Sequence, residues 1–379
     1  MGPRVLLTSF EVPGIGGSST ASFDLFARML RDGRDAHYLN LIAEDPAYLA
    51  STFGAALGNP RGLVNVHNYW LDGPEENPQR GVTDLVGRIR PDIVLGFGFP
   101  AALFFKRNIP GVRTVLMTGS CRQATDYVTT GRANDATDLF RRLAAMKTAP
   151  RIILHSERLA VEKCDLIITH SESTLHFMSQ FFPGFMGKIY PRVISYAEWI
   201  VEGAAAWSAW ALPFGSRDID ALFISNDWSR PEKNFRMVEE IATRLGGRSV
   251  HIVGDAPREV KGATHHGFVA ERAELFGILG RARCVVSPSL IDAAPGVLFD
   301  GAVMGCNLVV SANCGNADLC HPDLVVSSFT ANAFAACIER GIQRKYDDNL
   351  PSYLSRGSYR DLIATLEAFA KPFESRGAA

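Results

Sequence analysis

Residues 287–315 read SPSLIDAAPGVLFDGAVMGCNLVVSANCG, and this stretch decides the fold. Just before it and into its start, the apolar run Cys284-Val285-Val286 predicts a strand that ends at Pro288. A short loop follows, carrying Asp292 and Pro295-Gly296, and then helical spacing from Val297 to Met304. Gly305 stops that helix, and Leu308-Val309-Val310 begins the next strand. Strand, loop, helix and strand in so few residues describe one unit of a parallel sheet. Its loop falls at the carboxyl end of a strand, where open α/β sheets bind ligands.

The helix starts at Pro295-Gly296, so the amides near Gly296, Val297 and Leu298 are expected to be unpaired and to face that crevice. Unpaired N–H groups and the positive helix end together favour phosphate. Asp292 precedes the amides, and Asp300 lies one turn into the helix. A carboxylate accepts paired hydrogen bonds from vicinal hydroxyls and repels phosphate. Two acids flanking an anion cradle therefore suit a ligand with hydroxyls at both ends and a diphosphate between, which is the shape of a nucleotide-sugar. The plainer alternative is an ordinary α/β unit with two surface or capping aspartates.

Pro288, Ser289, Leu290, Asp292, Asp300, Gly305 and Val309, in this spacing, resemble the signature of the family-4 retaining glycosyltransferases. That resemblance implies an α/β GT-B architecture: two doubly wound Rossmann-like domains facing across a cleft. The family usually has Glu at both acidic positions, where this chain has Asp292 and Asp300. By resemblance, Asp292 contacts the transferred sugar and Asp300 the ribose hydroxyls.

A chain of 379 residues suits two domains. With 47% apolar and 21% charged residues, its balance is that of a globular protein rather than a disordered one. A formal charge of −1 supplies no field that would draw the chain to nucleic acid. The seven cysteines include no Cys-x-x-Cys pair and lie mostly in apolar segments, which predicts buried free thiols in a reducing cytoplasm. The apolar run Ile93 to Phe105 is too short to cross a bilayer and contains Pro100.

Val5-Leu6-Leu7 predicts the first strand, followed by a loop with Gly14, Gly16 and Gly17 and a helix over Ser22 to Leu30. The glycines allow close approach of backbone to phosphate, and Gly16 and Gly17 match the family's opening. Four further apolar runs (Ala36–Leu41, Leu63–Val66, Pro91–Gly96 and Thr114–Met117) alternate with helical or polar segments, as in a parallel sheet wrapped by helices. The family carries a histidine after one of these strands, where this chain reads Met117-Thr118-Gly119-Ser120. His67 is a candidate substitute, although a histidine near a strand end is more often structural.

The Glu157–Ser173 stretch, ending in Ser171-Glu172, matches another family segment. Basic Asp138–Ala149 could meet an anionic acceptor, or be a solvated face. From His176 to Tyr190 the chain carries Phe177, Met178, Phe181, Phe182, Phe185 and Met186. Such a stripe can touch a membrane surface, and more often packs on its own sheet. Irregular Tyr196–Gly215 is expected to connect the domains.

In the second half, Ala221–Ser225 predicts a strand, followed by a loop with Arg230 and Lys233 and an amphipathic helix through Leu245. The Arg fork and the Lys point charge could clamp a diphosphate, and the family has a similar segment after this strand. Val250–Asp255, His266–Val269 and Asp318-Leu319 match further landmarks, and Tyr359–Phe369 predicts a final helix. Asp218-Ile219-Asp220 and Cys320-His321 lack the partners that a metal site needs, so no metal is expected.

The reading therefore assigns residues 1–200 to an acceptor domain and 201–355 to a nucleotide-sugar-binding domain, with 356–379 as a helix crossing back. It expects transfer of a sugar from a nucleotide-diphospho-sugar to an acceptor hydroxyl with retention, assisted by Asp292, Arg230 and Lys233, without a cofactor. The acceptor would be a glycan, a lipid-linked sugar or a small metabolite, and homo-oligomers and weak peripheral contact with the inner membrane face are compatible with it. The rivals are a nucleotide-sugar epimerase of the same fold and an inactive, glycosyltransferase-like binding subunit.

Overall fold

The computed structural model describes residues 2–9, 17–41, 65–68, 78–119, 124–125, 152–169, 171–190, 206–344 and 359–370. Gly14, Gly16, Asp138–Ala149 and the boundary near residue 200 lie outside them.

In the first domain, strands β1 (Val5–Ser9), β2 (Ala36–Asn40), β3 (Val66–Asn68), β4 (Ile93–Phe97), β5 (Arg113–Thr118), β6 (Leu166–Thr169) and β7 (Ile189–Tyr190) form one sheet. Their order is β3-β2-β1-β4-β5-β6-β7, with every pairing parallel. Helices α1 (Gly17–Arg31), α2 (Pro78–Ile89), α3 (Phe99–Asn108), α4 (Ile152–Lys163) and α5 (Glu172–Phe181) connect them. Successive strand residues serve opposite faces. Leu7 and Leu95 pack with Phe23 and Phe26 of α1, whereas Leu6 and Val94 pack with Val82 and Val86 of α2. Both faces being covered explains why these strands read as continuous apolar runs.

The second domain repeats the plan with β8 (Ile219–Asp227), β9 (Val250–Asp255), β10 (Ala263–His265), β11 (Ala282–Ser287), β12 (Asn307–Ser311) and β13 (Val325–Val326). Their order is β10-β9-β8-β11-β12-β13, again all parallel. On one face Phe223 packs with Phe235 and Val238 of α6 (Phe235–Arg244) and Phe334 of α9 (Ala331–Gln343). On the other, Leu222 packs with Phe276 of α7 (Arg272–Leu279) and Leu298 of α8 (Gly296–Val303). The order reverses at β1/β4 in one sheet and at β8/β11 in the other, so each domain is doubly wound and Rossmann-like.

Helix α10 (Tyr359–Ala370) packs on the first domain. The Tyr359 hydroxyl donates to the Ala21 carbonyl at 3.2 Å, and Arg113 donates to the Phe369 and Ala370 carbonyls at 2.9 and 3.1 Å. The aromatic stripe after His176 turns inward: α5 ends at Phe181 before Pro183, and Phe177, Met178 and Phe182 are buried under the first sheet. Ile291, from the β11 loop of the second domain, joins that cluster, so the stripe serves packing and one edge of the interdomain seam. Among the described residues, no helix is long and apolar enough to cross a membrane.

Candidate functional site

At the β8/β11 switch point two loops meet. The first leaves β8 at Asp227, whose Oδ1 accepts the Ser229 amide at 2.7 Å; hydrogen bonding from the Ser229 hydroxyl, and then from this amide, holds its carboxyl below the usual range. Buried Trp228 anchors the loop by donating its indole N–H to the Val253 carbonyl at 2.9 Å. The Arg230 guanidinium donates to Glu232 Oε1 through Nε at 2.8 Å and Nη2 at 2.5 Å, and its side chain is exposed. A short turn, Pro231–Lys233, then leads into α6, and Lys233 Nζ lies 2.5 Å from Asp292 Oδ2. Both partners are largely buried, which strengthens their attraction relative to a surface pair.

The second loop, after β11, is tied down from both sides. The Gly315 amide donates to the Asp292 carbonyl at 2.7 Å, and Asn313 Nδ2 donates to the Leu290 carbonyl at 2.8 Å. Asp292 Oδ1 accepts the Ala294 amide at 3.3 Å, so both carboxylate oxygens are placed. A Cβ at Gly315 would overlap the Ala293 carbonyl and the hydroxyl of Ser171, so glycine lets the two domains touch here. Ser171 caps α5 by accepting the Thr174 amide at 3.3 Å, and Thr174 Oγ1 donates to the Gly119 carbonyl at 3.0 Å. The ends of β5 and β6 thus face the ends of β11 and β12.

Helix α8 opens at Gly296 without a side-chain cap, and the space where a Gly296 Cβ would stand is open. The Leu298 amide already donates to the Pro295 carbonyl at 3.1 Å. The candidate cradle therefore narrows to the Gly296 and Val297 amides, which have no intrahelical acceptor. Asp300 is 7% exposed, with Arg272 Nη2 at 3.5 Å from its Oδ1. Burial pushes its carboxyl above the usual range, and the charge of Arg272 opposes that shift.

The structure thus joins Lys233 to Asp292, sets Gly296, Val297, Leu298 and Asp300 on one helix, and turns Arg230 onto Glu232. Gly17 is the first residue of α1. His67 is engaged elsewhere: it stacks on His37 with Nε2 3.2 Å from His37 Nδ1, and burial pushes its pKa down to about 4. Asp218 and Asp220 pair with Arg281 and Arg283. Among the described residues no group of three metal-ligating side chains is assembled. The buried thiols Cys164 and Cys306 are pushed up to about 12 by desolvation, which keeps them protonated and unreactive.

Sequence reasoning missed Arg272. Its signal was a basic residue at a helix start, where the dipole disfavours positive charge, just past the His266–Val269 landmark. Also missed was a cavity of about 320 Å³ at the ends of β9 and β10, lined by Gly254, Asp255, Arg258, His265 and Gly267. It adjoins the β8 loop, since the Trp228 amide donates to the Asp255 carbonyl at 2.9 Å.

No family model matches the sequence, and no curated protein matches it either. Solved structures do. Sucrose-phosphate synthase from Thermosynechococcus elongatus superposes with a TM-score of 0.67 at 13% identity, over 97% of this chain and 98% of that one. Anabaena HepE in complex with UDP-glucose gives 0.65 at 12%, over 96% and 98%. The lipopolysaccharide outer core galactosyltransferase WaaB gives 0.64 at 13%, over 97% and 100%. Likeness at such identities, spanning both domains, is likeness of fold: this chain has the two-domain GT-B architecture.

Proposed function

We propose that the protein is a glycosyltransferase that moves a sugar from a nucleotide-diphospho-sugar to an acceptor hydroxyl with retention at the anomeric carbon. The observation that carries this reading is the Lys233–Asp292 pair at the β8/β11 switch point, beside the open start of α8. A carboxylate there accepts sugar hydroxyls, while the ammonium and the Gly296 and Val297 amides hold the diphosphate. Asp300, steadied by Arg272, accepts the ribose hydroxyls. HepE binding UDP-glucose in the same architecture supports a nucleotide-sugar donor.

In the reaction, the bond from the anomeric carbon to the diphosphate oxygen breaks, and a bond to the acceptor oxygen forms on the same face. The acceptor proton passes to the leaving phosphate, so no side-chain nucleophile is required. Lys233 and the two amides stabilise charge growing on the leaving group, joined by Arg230 once it releases Glu232. Contact between the domains at Ser171 and Gly315 narrows the access of water, a competing acceptor. The buried free thiols suit a reducing cytoplasm.

A thermal-shift panel of UDP-, GDP- and ADP-sugars tests this. One donor should stabilise the fold, by about 2.7 kcal/mol at a hundred times its Kd. Asp292→Asn should bind that donor and lose at least roughly tenfold in transfer, because one of the two acceptor oxygens that a pair of vicinal hydroxyls needs becomes an NH2 donor. If no nucleotide-sugar raises the Tm, the reading fails. Turnover without an acceptor would indicate an epimerase, and binding without turnover a binding subunit.

A further inference from the structure

Among the described residues only two that are not glycine hold a positive φ, Arg90 and Asn234. Asn234, at φ 59° and ψ 51°, directly follows Lys233. Asparagine tolerates the left-handed region better than most residues. It stands at the N-cap of α6, a position where its side chain would ordinarily accept a helix amide, yet it makes no such bond. Its Nδ2 instead donates to the Pro288 carbonyl at 3.1 Å, across to the β11 loop. On the other side of Lys233, the Glu232 carbonyl accepts the Leu290 amide at 2.8 Å. The residues before and after Lys233 are therefore both stapled to the loop that carries Asp292.

We infer that Asn234 is a positioning residue: its left-handed backbone and its amide bond to Pro288 aim Lys233 at the diphosphate. The inference rests on the glycosyltransferase reading, because it gives Lys233 its ligand. An unstapled Lys233 would keep its charge and lose its fixed place, so that ordering it would weaken binding.

Titrating the full-length protein with UDP, GDP and ADP tests this. Asn234→Gly keeps the left-handed backbone and loses the staple. Affinity for the preferred diphosphate should fall several-fold, up to roughly tenfold, the size expected for one lost neutral hydrogen bond. The Tm should stay within a few degrees. Lys233→Ala should weaken binding too, and adding Asn234→Gly to it should bring no further loss. Asn234→Asp, which also tolerates the left-handed region but cannot donate to Pro288, carries the same test if the glycine variant unfolds. Wild-type affinity in Asn234→Gly, or an undiminished loss in the Lys233→Ala background, overturns the inference alone. A wild-type protein that binds none of the three nucleotides, or a Lys233→Ala that binds like wild type, removes the glycosyltransferase reading and this inference with it.

Discussion

Asp300 and Asp292 are both aspartates in one short stretch, yet their surroundings separate them. Asp292 has an ammonium at 2.5 Å, whereas Asp300 is buried with a guanidinium at 3.5 Å. Burial outweighs Arg272 and leaves the Asp300 carboxyl above its ordinary 3.8. In the unfolded chain the same group ionises first, so the unfolded state releases its proton at lower pH. The contribution of Asp300 to stability accordingly falls as pH rises from about 3.8 through its folded pKa, with a slope of at most about 1.4 kcal/mol per pH unit. Asp300→Asn should remove that slope, so its Tm should gain on wild type as acid is neutralised. It should also bind donor several-fold more weakly, having lost an acceptor for ribose hydroxyls. Parallel melting curves from pH 4 upward, with and without nucleotide, check both effects.

Helix α8 sits where it does because of its glycines as well as its apolar face. A Cβ at Gly301 would lie 2.9 Å from Val285 Cγ2 and 3.0 Å from Leu308 Cδ2, on strands that are fully buried. Alanine there gains about 1 kcal/mol in helix propensity. It loses more from overpacking, because Val285 is branched and stiff and its strand cannot retreat. We expect Gly301→Ala to cost about 1–2 kcal/mol net and to shift the Gly296 end enough to weaken donor binding. Gly277 of α7 has nothing within 4 Å of its missing Cβ, so Gly277→Ala should stabilise by up to about 1 kcal/mol. Chemical denaturation of the two variants side by side separates propensity from packing.

At the scale of the molecule, α10 comes last in the chain and packs on the domain built first. Leu366 of α10 is fully buried, sharing a cluster with Tyr359, Leu362 and Phe26. Leu366→Ala should cost about 2–5 kcal/mol. Hydrogen exchange should place the loosening in β1, α1 and α10 and leave β8 to β12 protected, since this helix packs on α1 of the first domain.

What the sequence determined by itself is local and periodic. Buried strands read as apolar runs, Gly305 and Pro288 mark ends, and helix and strand alternate, because these signals need only neighbours along the chain. From them came two parallel Rossmann-like sheets and the acid–amide stretch of residues 287–315. The tertiary structure alone decided which charge meets which. Lys233 reaches Asp292 across 59 residues, Arg272 faces Asp300, and Ser171 of the first domain meets Gly315 of the second. Those choices follow from strand order and from the meeting of the carboxyl ends of two sheets, and no run of neighbouring residues encodes that.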